Sequence, residues 1–416
     1  MLGCIDAQRK AKKSMAFPIA ATGARGLAYI ANVGDRAVSV IDTATGATTA
    51  TIRTAAFGFS SPSDVAVSPD GTRAYATNPD YNSVSVIDTA TNTVTATVEE
   101  AFRCATLVVS PNGRNVYVAG QSTSVIVVID AATNTVSARI PVAGAQYMAV
   151  TPNGSRIYAT RDDTGVSVID TATNTAIATV PTNNGLCRGL AMHPDGTRVY
   201  VAGNHSKAVH VIDTATNTIS RSIGVGSPPY GMAITPDGAG VYVSCDDGPI
   251  SVIDSAANKV VATIPLWEAG PLAASPDGTF VYTPNHLTDT LSVIDVATNT
   301  VTGTVAAGRH PCSVAFGPGV PLRTNTPTVV KGAPLKVRYS TAPGNVSSRN
   351  WVGIYPDDGG ATIGKKNSFT WAYAPNAAGS VTLDTGSVPV PGRYAAWYLY
   401  NDAYATLGGP LTFTVT

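Results

Sequence analysis

Glutamate is nearly missing from this chain, with three in 416 residues, at 99, 100 and 268. Histidine and cysteine are also scarce, with five of each. The cysteines, at 4, 104, 187, 245 and 312, are odd in number and widely spread. That pattern argues against a complete disulfide framework and leaves the redox compartment open. Neither charge dominates, since 27 Lys and Arg balance 27 Asp and Glu. Without a net field, nucleic acid is not an expected partner. No apolar run reaches the roughly eighteen residues of a membrane span, so none is expected. The chain contains no Gly-x-Ser-x-Gly, His-Glu-x-x-His, P-loop or dinucleotide fingerprint, which removes the commonest sequence signs of an enzyme.

What is present suits a turn-rich globular protein: 44% apolar residues, 39 Gly and 28 Pro, in a length sufficient for two domains. The opening stretch, MLGCIDAQRKAKKSMAFPIAA, sets basic residues before a short apolar piece that proline interrupts. It is brief for a secretory h-region, and residues 1–16 read as a flexible leader with no clear signal peptide.

The triplet Val-Ile-Asp ends at Asp42, Asp88, Asp130, Asp170, Asp213, Asp254 and Asp295, at intervals of 40 to 46 residues. Each copy follows an aromatic or apolar run such as RAYATN (73–78) and precedes a Thr/Val alternation such as TVTATV. Six turns of the type Ser-Pro-Asp-Gly separate the units, beginning at 68, 110, 151, 193, 235 and 275. Each unit reads as four short strands with period-two alternation between Gly, Pro, Asn and Asp turns. Units of this length with four strands apiece predict propeller blades, seven of them, repeated because no blade buries its own faces alone. PCSVAFGP (311–318) has no blade of its own and is expected to supply the inner strand of the first blade, with FPIAAT (17–22) the competing candidate.

The stretches YVAGNHSKAVHVIDTATNTI and AYATNPDYNSVSVIDTATNTV resemble the YVTN-type seven-bladed β-propeller repeat. The resemblance implies an all-β seven-bladed propeller over residues 17–319. On function it implies surface-layer and secreted binding proteins in some cases, and lyases, lactonases and metal-dependent enzymes on related propellers in others. It favours an extracytoplasmic or secreted location. From 320 to 416 the repeat stops, and Cys, His and Glu vanish while three of the four Trp appear. Strand-like runs there, among them WVGIYP and GRYAAWYLY, predict a small immunoglobulin-like β-sandwich. They resemble modules appended to bacterial metallophosphoesterases and other secreted enzymes. Trp351, Trp371 and Trp397 are read as its core.

Seven internal copies allow residues that break the repeat to be picked out. These cluster in loops that should meet on one face around the central channel, where binding residues usually lie. Glu99, Arg103, Arg188, His205, His286 and His310 form an acid/base candidate set. Tyr81, Tyr147, Arg161, Tyr230, Trp267 and Glu268 form a ligand-binding set. His205, His286 and His310 suit a divalent metal by chemistry, although no short spacing supports one. Asp-Asp pairs at 162–163 and 246–247 suit calcium as well as they suit ordinary turns. Arg103 and Arg188 adjoin Cys104 and Cys187 and would lower a thiol pKa, against the plainer reading of packing cysteines. Two functions stay open. The first is a monomeric scaffold that binds a small molecule, glycan or protein at the loop face. The alternative is a lyase- or hydrolase-like enzyme at the same face.

Overall fold

The computed structural model describes residues 26–54, 61–100, 102–120, 124–161, 165–182, 187–267 and 269–317. Beyond these it describes 322–324, 328–331, 334–340, 351–356, 370–373, 378–385, 392–399 and 406–416. Among the described residues no helix is long and apolar enough to cross a membrane.

Seven four-stranded antiparallel sheets form a seven-bladed β-propeller. Blade 2 shows the plan, with an inner strand Asp64–Val67, two middle strands Arg73–Asn78 and Ser83–Asp88, and an outer strand Thr93–Glu99. The inner strands of blades 3 to 7 are Cys104–Val109, Ala145–Val150, Cys187–Met192, Pro229–Ile234 and the short Ala273–Ala274. Blade 1 draws its inner strand, Pro311–Phe316, from the far end of the repeat. That strand pairs with Leu27–Asn32 in the register Ala28↔Phe316 to Ala31↔Ser313, so the ring is closed by hydrogen bonds between its two ends. The competing candidate at 17–22 lies outside the described residues.

The expected period-two alternation holds only at the outer strands, where Thr93–Glu99 alternates exposed and half-buried positions. The middle strands are buried almost throughout, because blades stack face to face and leave these strands no solvent side. This stacking explains the unbroken apolar runs of each copy. The tyrosine of each first middle strand, at 29, 75, 117, 158, 200, 242 and 282, is at most 2% exposed. Some of these hydroxyls reach across to the next blade: Tyr158 donates to Asn217 Oδ1 at 2.8 Å and Tyr242 to Asn299 Oδ1 at 2.6 Å. Arginines two residues before these positions do likewise, Arg156 donating to Thr214 O at 2.7 Å and Arg198 to Ser255 O at 2.6 Å.

The repeated turn after Val-Ile-Asp, Asp-Ala-Ala-Thr-Asn at 130–134, has a local cause. Asp130 Oδ1 accepts the amides of Ala132 at 2.9 Å and Thr133 at 2.8 Å, and Asn134 takes a left-handed φ of 55°, which asparagine tolerates well. The Thr133 bonds hold the Asp130 carboxyl below its ordinary range. Past each turn the register shifts by one residue, in all seven blades at the step from Val to Ile of the triplet. The residue left unpaired is usually a hydroxyl amino acid that donates back to the strand, as Thr49 to Val40 O at 3.1 Å and Ser137 to Val128 O at 3.1 Å. In blades 4 and 6 this position is Ile177 and Val261, which stand about half exposed, at 49% and 51%.

After the ring, the described strands form a three-stranded sheet of Leu322–Thr324, Pro334–Ser340 and Ala378–Asp384. A five-stranded sheet runs Thr328–Val329, Thr406–Val415, Gly392–Leu399, Trp351–Pro356 and Thr370–Tyr373 in spatial order.

Candidate functional site

Counted back from the proline that follows each inner strand, the fifth position of every blade lines the channel at its loop end. The fifth positions, from blade 1 to blade 7, are Ser313, Asp64, Thr106, Tyr147, Gly189, Gly231 and Pro271. The first four bring polar side chains and the last three none, so the ring is lopsided. Gly231 is bare for a steric reason: a Cβ there would meet Pro271 Cα at 2.8 Å, so the inner strands of blades 6 and 7 approach only with glycine. The result is a cavity of about 480 Å³ at the mouth of the channel.

Asp64 sits in its wall. Its Oδ1 accepts the Ser313 hydroxyl at 2.7 Å and its own neighbour's amide, Val65 N, at 2.9 Å, while Oδ2 accepts Leu107 N at 3.0 Å. One carboxylate therefore ties blades 1, 2 and 3 together. Burial pushes it up to about 6 from its ordinary 3.8, and the bonds from Ser313, Leu107 and Val65 oppose that shift only in part. Asp64 keeps partial exposure and lines the cavity. Cys312 and Ser63 lie beside it in the same wall. The Cys312 thiol, half-buried, is pushed up to about 12 by desolvation with Asp64 adding to the effect, and it donates to backbone carbonyls.

The opposite wall is aromatic and apolar, with Tyr147, Met148, Tyr230 and Met232. Burial, with the neighbouring Tyr230 adding to it, raises the Tyr147 phenol. The Arg188 guanidinium lies 5.2 Å from the Tyr230 ring centroid and 4.0 Å from Asp246, whose other oxygen accepts Asn204 Nδ2 at 3.0 Å. Arg103 stands at the rim, 3.6 Å from Asp80.

Of the residues expected from sequence, the cavity thus gathers Arg103, Tyr147 and Tyr230, with Arg188 packed on the last. The others lie elsewhere. Glu99 is exposed at the end of the outer strand of blade 2, and the adjoining Glu100 is held by a bidentate pair with Arg139 at 2.9 and 3.1 Å. Arg161 ends a middle strand of blade 4, opposite Ala145. Tyr81 and Trp267 are exposed on their loops, at 44% and 60%. Glu268 and the Asp162–Asp163 pair lie outside the described residues. His286 and His310 do meet, with rings stacked at 4.8 Å beside the ring closure, where His310 N donates to Asp289 Oδ1 at 2.8 Å. His205 is exposed on a blade 5 loop. Among the described residues no group of three or more His, Cys, Asp or Glu is arranged to hold a metal.

Of the two readings of the thiols, packing agrees with the structure and activation does not, since Cys104 and Cys187 are both buried. Burial, with Glu100 adding to it, pushes Cys104 up to about 12, and burial also raises Cys187, whose thiol donates to Thr182 Oγ1 at 3.2 Å. The arginines next to them in sequence are drawn instead to Asp80, Tyr230 and Asp246. The central residue that sequence reading missed is Asp64. The signal is an aspartate at the fifth position of one inner strand in seven, in a strand rather than in the loops where the other breaks of the repeat cluster.

No family model matches the chain. Over 166 residues it is 26% identical to a seven-bladed beta-propeller protein of Mycobacterium tuberculosis, covering 38% of this chain and 42% of that one. The chain therefore spans less than half the length of that curated relative. Among solved structures it is similar to the hydrazine synthase of Kuenenia stuttgartiensis, with a TM-score of 0.60 and 22% identity over 65% of this chain and 92% of that chain. A functionally unknown protein from Desulfotomaculum acetoxidans gives a TM-score of 0.61 and 17% identity over 70% of this chain and 98% of that one. At these identities the solved structures speak to the fold alone.

Proposed function

We propose that this protein is a binding protein of the seven-bladed propeller type, and that a small molecule occupies the cavity at the loop end of its channel. One observation carries the reading: positions that are equivalent in the repeat are filled by different side chains around one cavity of about 480 Å³. Structural repetition alone needs no such difference, and the volume is in the range of ligand pockets, roughly 300 to 1,000 Å³. A mixed wall of aromatic, thioether and fixed polar groups is what such sites use to hold and orient a ligand. The acid/base candidates Glu99, His205, His286 and His310 lie away from the cavity wall, which favours binding over catalysis. We further read 17–319 as the propeller domain with YVTN-type repeats, and 320–416 as an accessory immunoglobulin-like β-sandwich.

A ligand-observed NMR screen of small organic molecules on the full chain tests the binding reading, with Ala105→Phe as control because Ala105 lines the cavity. Hits on the parent protein that vanish with Ala105→Phe, at unchanged circular dichroism, support it. Hits that persist equally in the variant place the binding elsewhere and overturn it.

A further inference from the structure

The cavity wall holds one charge without a counter-charge. The three donors to Asp64 are neutral, a hydroxyl and two amides, and among the described residues no basic side chain forms an ion pair with it. The two arginines nearest the cavity turn to carboxylates outside it, Arg103 to Asp80 and Arg188 to Asp246. Leu107 N is the one donor to Asp64 Oδ2 among the described residues, and a carboxylate oxygen has room for a second. A carboxylate withdrawn from water in this way is costly unless a positive group or further donors reach it. Across the cavity the surfaces of Tyr147, Tyr230, Met148 and Met232 suit an organic skeleton rather than a bare ion.

We propose that the ligand carries a protonated amine, which pairs with the open side of the Asp64 carboxylate while its organic part packs against Tyr147 and Met148. This rests on the reading of the cavity as a small-molecule site and gives that ligand its chemical class. The charge distribution supplies the specificity. An anion would meet Asp64 while the nearest cations, Arg103 and Arg188, are held by Asp80 and Asp246, and a neutral molecule would leave the carboxylate as costly as before.

Titration calorimetry of the full chain at pH 7.5 with three probes of matched size, benzylamine, benzyl alcohol and benzoate, tests the proposal. Benzylamine is expected to bind about tenfold or more tightly than benzyl alcohol, with benzoate weakest. Asp64→Asn should abolish the preference for the amine over the alcohol. If that variant does not fold, the same preference measured on the unaltered chain at pH 5 and pH 7.5 decides, since it should shrink at the lower pH as Asp64 takes up its proton. Equal binding of the three probes, or a preference for benzoate, overturns the amine proposal and leaves the small-molecule reading standing. Heats that are absent for all three, or identical for the parent chain and Ala105→Phe, overturn both.

Discussion

The Ser313 hydroxyl donates to Asp64 Oδ1 at 2.7 Å, across 249 residues of sequence. Ser313 belongs to the strand that closes the ring and Asp64 to the cavity wall, so this bond joins the closing strand to the candidate site. The burial that accompanies this bond has a consequence for stability. With Asp64 at about 6 in the folded protein against 3.8, the folded state holds a proton between about pH 4 and pH 6 that the unfolded chain releases. Asp64 therefore contributes stability in acid that is lost as pH rises through that window and stays lost above it. Over about two pH units the loss is roughly 3 kcal/mol at 1.36 kcal/mol per unit. Asp64→Asn cannot titrate, so the stability gap between parent and variant should change by up to that amount across the window. Urea melts at pH 4, 5, 6 and 7 measure it, and parallel curves would show that Asp64 is not the group responsible.

The cross-blade tyrosines give a second test. Tyr242→Phe removes the bond to Asn299 and leaves a half-buried amide oxygen without its partner, an expected cost of about 1 kcal/mol. Tyr158→Phe does the same to Asn217 at a different blade interface. With no shared partner the two losses should add to within about 0.5 kcal/mol. Denaturant melts of both single variants and the double variant check the sum. A double variant no worse than either single would show that one interface already limits the ring.

Much of the architecture was legible because it is written seven times. A tyrosine and a Val-Ile-Asp recur at each blade and a Thr-Asn turn at five of the seven, and the turn has a local physical cause that acts without reference to the rest of the chain, as Asp130 shows. The closing strand was legible from its isolation: Pro311–Phe316 has inner-strand character and no blade to follow it. The site was legible only at its rim. Arg103, Tyr147 and Tyr230 break the repeat visibly, but Asp64 looks like one more strand-flanking aspartate until the ring brings Ser313 and Leu107 to it. Likewise, the effect of Arg103 on Cys104 could not be read from adjacency, because successive residues of a strand point to opposite sides.

The register shift at each outer strand predicts an improvement. Five blades place Thr or Ser at the unpaired position, and its hydroxyl donates to the valine carbonyl at 3.0 to 3.3 Å. Blades 4 and 6 expose Ile177 and Val261 there instead. Ile177→Thr and Val261→Thr should each restore that bond while removing apolar surface from solvent, for a gain of about 0.5 to 1 kcal/mol apiece. A calorimetric melt in which both variants fall below the parent would mean that the isoleucine and valine make contacts worth more than the hydroxyl bond.

Amine binding should itself depend on pH, in the direction Asp64 dictates. The groups that face this carboxylate stay fixed between pH 5 and pH 7.5. The Cys312 thiol lies at about 12, and the Tyr147 phenol is raised above its ordinary value. At pH 5 about a tenth of Asp64 is ionised, and at pH 7.5 nearly all of it. Benzylamine keeps its charge throughout, so its affinity should rise by up to about tenfold from pH 5 to pH 7.5 and level off above pH 7. Binding of the amine displaces the proton, so calorimetry in buffers of different ionisation enthalpy should show proton release at pH 5.5 and almost none at pH 7.5. An affinity that is flat with pH, without proton release, would place the amine away from Asp64.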